Sequence, residues 1–248
     1  MRLEAPFRAA GEHIAADLPG AHVLFTTRRG GVSTGPYASL NLGLFTEDDP
    51  AHVSENRDRV AAAVGVPRRR FQQGFQVHAA HVRALDAPPD PDEEPVPADG
   101  QATSVPDVAT VVVAADCVPI AVAAPGAVAM LHAGWRSLHA GVVAEGVRAV
   151  RELGGTGPVT AAIGPGAGGC CYEVGDEVHA AFADHGPGVR NGRKVDLKAI
   201  ARRELEAAGV AAVHDVGVCT LCADPGLFFS HRRDGGTTGR QAGVAWRS

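Results

Sequence analysis

A thiol and an imidazole are set to meet at one end of a hairpin. The apolar runs PIAVAA (119–124) and AVAMLHAG (127–134) are joined by Pro125-Gly126, a pair that favours a tight turn. Such a turn pairs positions whose numbers sum to about 251, setting 117 opposite 134 and 132 opposite 119. Cys117 and His132 then fall within about two residues of being cross-strand neighbours, at the end remote from the turn. A thiol and an imidazole so placed are metal ligands or a nucleophile and its base. A buried Cys beside a hydrogen-bonded His fits the spacing as well. His78, in Gln76-Val77-His78, is a third candidate, with His81 one helical turn further on. Two imidazoles and a thiolate can hold a catalytic zinc with one position left open, and zinc suits that donor mixture.

The elements that must position these groups can be read from pattern. Residues 21–27 (AHVLFTT), 110–116 (TVVVAAD), 159–163 (VTAAI) and 211–216 (AAVHDV) read as strands. Helices are expected over Pro50–Val64, from a Ser137 cap to about Leu153, over Glu173–Asp184 and over Val195–Ala208. Residues 86–99 (DAPPDPDEEPVPAD) are Pro-rich and acidic and form a surface loop. Strands and helices mix without strict alternation, and no internal repeat is visible. The expectation is an α+β fold: one domain over 1–248, with mixed β-sheets flanked by helices.

Composition bounds the function. With 45% hydrophobic and 21% charged residues, the chain is a globular protein, not a disordered one. The net charge of −5 argues against sequence-neutral nucleic-acid binding. Arginine dominates the cations; Lys194 and Lys198 are the lysines. The run 108–131 is apolar except for Asp116, but Pro119, Pro125 and Gly126 interrupt it, so buried strands are expected rather than a membrane span. No secretory leader is recognisable at the N-terminus, and five cysteines argue against a disulfide scaffold. A cytoplasmic protein with free, metal-bound or reactive thiols is expected.

Two patterns read as decoys. Gly164–Gly169 matches G-x-G-x-x-G after a strand, but Pro165 removes an amide and Cys170-Cys171 stands where a helix should start. The match therefore reads as a glycine-rich turn rather than a dinucleotide site. Cys219-Thr220-Leu221-Cys222 supplies two ligands with no second pair at zinc-finger spacing, so it reads as a structural or incidental thiol pair. The eleven histidines include no His-x-His, so the paired imidazoles that a site for several coppers needs are not visible.

Several segments occur together in an order that is familiar. QVHAAHV, AADCVPI, LHAGWRSLHAGV, AIGPGAGGCCYEVG and FFSHRRDGGTTGR resemble the YfiH family, also called laccase-domain proteins or multicopper polyphenol oxidases. TTRRGGVS (26–33), YASLNLG (37–43) and Glu55–Arg57 fit the same pattern, so the resemblance runs from about Thr26 to Arg240. It implies a single domain of layered mixed sheets. It implies one zinc per chain on His78, Cys117 and His132, with copper uptake possible in vitro. It implies phosphorolysis of adenosine, inosine and methylthioadenosine with adenosine deamination, and for bacterial members a link to editing peptidoglycan precursors. Ala79, Ser137 and Ala167 depart from the family pattern without touching a ligand.

Within the matched motifs, phosphate needs fixed cations and amides, and Arg136 and the Arg28–Gly31 turn are the candidates. Ser39 and Asn41 are candidates for the base or ribose. Asp99 and Asp116 are candidates to orient a ligand or protonate a leaving base. The expected reading is a zinc-dependent purine nucleoside phosphorylase acting on small-molecule nucleosides and phosphate. Its rivals are a metal-free Cys–His hydrolase acting on a peptidoglycan precursor amide, with Cys117 as nucleophile, and a non-enzymatic metal-binding scaffold.

Overall fold

A computed structural model describes residues 3–90 and 92–247. In chain order the strands are β1 (Phe7–Ala10), β2 (His13–Leu18), β3 (Ala21–Phe25), β4 (Phe71–Gln72), β5 (Val82–Leu85), β6 (Gly100–Thr103) and β7 (Ala109–Ala114). They continue with β8 (Val118–Ala124), β9 (Ala127–Ala133), β10 (Thr160–Ile163), β11 (Arg190–Asn191), β12 (Lys194–Val195), β13 (Ala212–Asp215) and β14 (Gln241–Trp246). The helices are α1 (Pro50–Val64), α2 (Trp135–His139), α3 (Val142–Glu152), α4 (Asp176–Ala181) and α5 (Leu197–Ala207).

Two six-stranded mixed sheets carry the fold, in the orders β1-β2-β3-β14-β7-β4 and β13-β10-β8-β9-β6-β5. Phe25, Val112, Ala121, Ala123, Val128, Met130 and Phe228 pack between them. The second sheet buries its other face under α3 and α5, through Leu131, Val143, Val147, Val150, Ile200 and Leu205. The first sheet buries Val111 and Val244 under Val60 and Val64 of α1. The architecture is α+β, in layers.

β8 and β9 lie in the middle of the second sheet, and every residue in both is buried. That double coverage explains why they read as continuous apolar runs rather than alternating ones. Their register is Val118↔Ala133, Pro119↔His132 and so on to Ala124↔Ala127, as the Pro125-Gly126 turn predicts. α3 approaches this hairpin through Gly146, where a Cβ would sit 2.5 Å from Leu131 Cδ1. α1 starts at Asp49, whose side chain accepts the Ala51 amide, and ends at Gly65 in the left-handed region.

Four expectations need correction. Ser137 does not cap a long helix: it lies buried inside the short α2, and Gly141, at φ 92°, separates α2 from α3. The expected 173–184 helix is reduced to α4, because Glu173 is bridged to Lys194 and Gly175 starts the helix. The 110–116 strand ends at Ala114, and Asp116 turns the chain at φ 91°. His81 is not a helical turn beyond His78: no helix forms there, and its ring Nδ1 lies 2.7 Å from the Pro97 carbonyl. The acidic stretch is exposed over most of its length, while its last two residues, Ala98 and Asp99, are buried.

Candidate active site

His78, Cys117 and His132 come together although three different segments carry them. Their ligand atoms all lie within 4.8 Å of one another. His132 rides on β9 and Cys117 on the corner leading into β8. His78 sits in a loop at φ 60°. Cys117 Sγ is 3.8 Å from His78 Nε2, and the two imidazoles meet edge to face with centroids 4.8 Å apart. Gly134 keeps the space beside them open: a Cβ there would come within 3.0 Å of Cys117 Sγ and of His78 Cδ2.

Asp99 holds this arrangement. Its Oδ1 lies 2.9 Å from His132 Nδ1. The same carboxylate accepts the amides of Val77, His78 and Ala79 at 3.1, 2.9 and 2.7 Å. With a carboxylate on Nδ1, that nitrogen carries the proton and Nε2 presents its lone pair to the cluster. Burial would raise the Asp99 carboxyl, but the bonds from His132 and the amides keep it below its ordinary range.

Burial alone would also push the Cys117 thiol up. The adjacent His132 imidazole, with hydrogen bonds from both histidines, outweighs it and brings the thiol down to about 6. Burial works against a charged His132, whereas Cys117 and Asp99 raise it. Without a metal, both shifts favour a thiolate beside an imidazolium. A soft thiolate and two imidazoles, one braced by a carboxylate, fit a divalent metal with one side left open.

That open side faces a cavity of about 310 Å³, at the small end of the usual ligand-pocket range. His78, Cys117 and His132 line it together with Phe45, Phe75, His231 and Arg240. Phe45 and Phe75 are exposed and pack edge to face at its rim, centroids 4.9 Å apart. Arg240 is anchored through Nη1 to the Thr238 and Gly239 carbonyls at 2.7 and 3.0 Å.

Other expected contacts lie elsewhere. The Arg136 guanidinium stacks 4.3 Å over the Trp135 ring and is not part of the cavity wall. Arg28 is a strut: Nε donates to the Ala38 carbonyl, Nη1 to that of Pro225, and its guanidinium covers Phe229. Ser39 accepts the Gly31 amide and donates to the Arg28 carbonyl. Asn41 is fully buried, and its Oδ1 accepts the amides of Gly43 and Arg240. Asp116 accepts from Thr220 Oγ1, Ser230 Oγ and the Arg232 amide, which fixes the corner before Cys117. The glycine-rich turn does not line the cavity. Its Gly164 and Gly166 are small so that Phe25 and Val118 can pack against them. Met130 packs its sulfur against Gly243.

Arg240, His231, Phe45 and Phe75 escape a sequence reading. Arg240 and His231 lie inside FFSHRRDGGTTGR, a matched motif rich in cations, but nothing in its spacing singles them out. The fold also brings Cys170 and Cys171 to the CxxC: Cys170, Cys171, Cys219 and Cys222 form a second group whose sulfurs all lie within 4.8 Å of one another.

Comparison with known proteins places the chain in a family. Residues 22–248 match the family described as multi-copper polyphenol oxidoreductase laccase. A purine nucleoside phosphorylase of Streptomyces griseus is 40% identical over 244 residues, covering 95% of this chain and 98% of that protein. One from Deinococcus radiodurans is 40% identical over 231 residues, covering 89% and 87%. The crystal structure of YlmD from Geobacillus stearothermophilus superimposes with a TM-score of 0.88 at 35% identity, covering 98% of each chain. That of the hypothetical protein YfiH from Bacillus licheniformis gives 0.89 at 30%, covering 99% and 100%. Similar along its length in sequence and in fold, the chain belongs to the YfiH-type, laccase-like family.

Proposed function

We propose that this chain is a zinc-dependent purine nucleoside phosphorylase acting on adenosine, inosine and methylthioadenosine. The observation that carries the reading is the His78–Cys117–His132 set opening onto a cavity that also holds Arg240 and an aromatic rim. The relatives named purine nucleoside phosphorylase supply the reaction class. Zinc on the three ligands would supply a Lewis acid at its open position.

Phosphorolysis joins a phosphate oxygen to the anomeric carbon while the carbon–nitrogen bond to the purine breaks. Arg240 offers its guanidinium to the entering phosphate, held in place by two carbonyls. Phe45 and Phe75 offer flat apolar faces to the base. The departing purine nitrogen takes up a proton, and His231 is the imidazole of the cavity wall outside the ligand set. Asn41 and Asp99 act as positioning residues, through Arg240 and the two histidines respectively. Water adding to the amino-bearing carbon of adenosine at the same site, with the carbon–nitrogen bond breaking and ammonia leaving, would give inosine; we include this deamination as a side activity. We place the protein in the cytoplasm, on its odd number of cysteines.

Copper oxidation of polyphenols has less support. Among the described residues, the metal-binding groups that include imidazole reduce to this one set, and multi-copper chemistry needs more. The decisive experiment follows base release from adenosine and inosine against phosphate concentration and identifies the sugar product. Ribose 1-phosphate formed in step with phosphate supports the reading. Phosphate-independent release of free ribose rejects it.

A further inference from the structure

We infer that Cys170, Cys171, Cys219 and Cys222 bind a second metal ion, a structural zinc in an all-thiolate site. The sulfurs lie within 4.8 Å of one another, and Cys170 and Cys222 are 3.4 Å apart. Four sulfurs arranged tetrahedrally around one zinc at 2.3 Å would stand about 3.8 Å apart. The spacing therefore suits a single ion, since an iron–sulfur cluster would hold its cysteines further apart.

The surroundings are those of a thiolate site. The Gly168 amide donates to Cys219 Sγ at 3.3 Å, and such a donor spreads the charge of a bound thiolate.

A tetrathiolate zinc carries two negative charges. The chain's two lysines both reach this place. Lys194 Nζ donates to the Cys170 carbonyl at 2.7 Å, and Lys198 Nζ to the Val218 carbonyl, next to Cys219, at 2.6 Å. Lys198 also pairs with Asp215 at 3.3 Å, so Lys194 is the freer countercharge. Binding would release the four thiol protons.

The site would act as a staple. It joins the turn after β10 to the loop after β13. Thr220, inside the C-x-x-C, donates to Asp116 at 2.7 Å, and the Ala167 amide donates to the Asp116 carbonyl at 2.7 Å. Asp116 precedes Cys117, so the second ion would brace the corner that presents a ligand of the first group. This inference does not depend on the phosphorylase reading.

The test is metal analysis of the full chain, purified without chelator, beside Cys117→Ala and the double variant Cys219→Ser/Cys222→Ser. Two zinc ions per chain are expected, with one remaining in Cys117→Ala. The double variant should lose one ion and melt at a lower temperature. If it fails to fold, cobalt-loaded Cys117→Ala carries the test alone. Its spectrum should show intense sulfur-to-cobalt charge transfer from four thiolates, and its thiols should resist a disulfide reagent until the metal is removed. Cys117→Ala that binds no metal when reduced, with four freely reactive thiols, overturns the inference. So does a Cys170–Cys222 disulfide in protein purified without reductant and free of metal.

Discussion

Asp99 Oδ1 stands 2.9 Å from His132 Nδ1 and also accepts the His78 amide at 2.9 Å. One carboxylate therefore sets the tautomer of one imidazole and the backbone of the other. Asp99→Asn keeps the size but loses the charge. We expect metal affinity to fall about 10- to 100-fold, as is usual for lost partners of metal-binding histidines. Competition with a calibrated chelator reads this directly; unchanged affinity would show that the loop and ring hold themselves.

Removing a ligand should do more. Each of His78→Ala, Cys117→Ala and His132→Ala is expected to abolish stoichiometric metal at this group while the chain stays folded by circular dichroism. An ion retained there at full occupancy in Cys117→Ala, distinguished by its spectrum from the four-thiolate one, would refute the ligand set.

Two arginines separate the sequence reading from the structural one. Loss of a charge-assisted contact to a buried anion typically costs 2–5 kcal/mol, or about 30- to several-thousand-fold. Arg240→Ala should raise the phosphate requirement on that scale. Arg136→Ala, which removes a guanidinium stacked on Trp135, should change it little. The reverse ranking would return the phosphate to Arg136.

The thiol makes a pH prediction. Burial opposes the Cys117 thiolate, but His132 and His78 bring the thiol down to about 6. In metal-stripped protein, alkylation of Cys117 by iodoacetamide should therefore hold its rate as pH falls from 8 to 7 and drop only around 6. An ordinary thiol, near 8.5, would already be slowing at 8. Mass spectrometry of the labelled peptide gives the profile, and rebound metal should protect the residue.

Glu204, on α5, predicts a stability trend. Burial raises its carboxyl from 4.5 to about 7, and Oε2 is buried without a hydrogen-bond partner. The folded state thus binds a proton that the unfolded chain has released. Its contribution is fully present below about 4.5 and is lost as pH rises through about 7. Discounted for partial exposure, the loss is about 1–2 kcal/mol. Glu204→Gln should flatten the fall in melting temperature between pH 5 and 8; a parallel curve would assign the trend elsewhere.

What could be read from the sequence followed from locality. Pro125-Gly126 fixes the pairing of its own neighbours, so the approach of Cys117 and His132 was calculable. Pro50–Val64 carries its own start and stop signals. β1, β2, β6 and β14 were not legible, because segments such as GQAT and QAGVAW hold few large apolar residues and owe their burial to neighbours. The four-cysteine group unites residues far apart in sequence, and no spacing rule reaches across that distance. Arg136 drew attention by lying close in sequence to His132. Arg240 lies close in space, which only the sheet order determines.

β14 is inserted between β3 and β7, antiparallel to both. During synthesis it leaves the ribosome after the other strands described above. Until then β3 and β7 present unpaired edges rich in Val, Leu and Phe, the kind of surface that recruits other chains. Arg240 directly precedes β14, and Asn41 holds its amide. The cavity wall is thus completed in the same event that closes the sheet. A nascent chain can carry all three of His78, Cys117 and His132 and still lack the pocket. Turnover would then report closure of this sheet, and a chain stalled before β14 would be prone to aggregate rather than partly active.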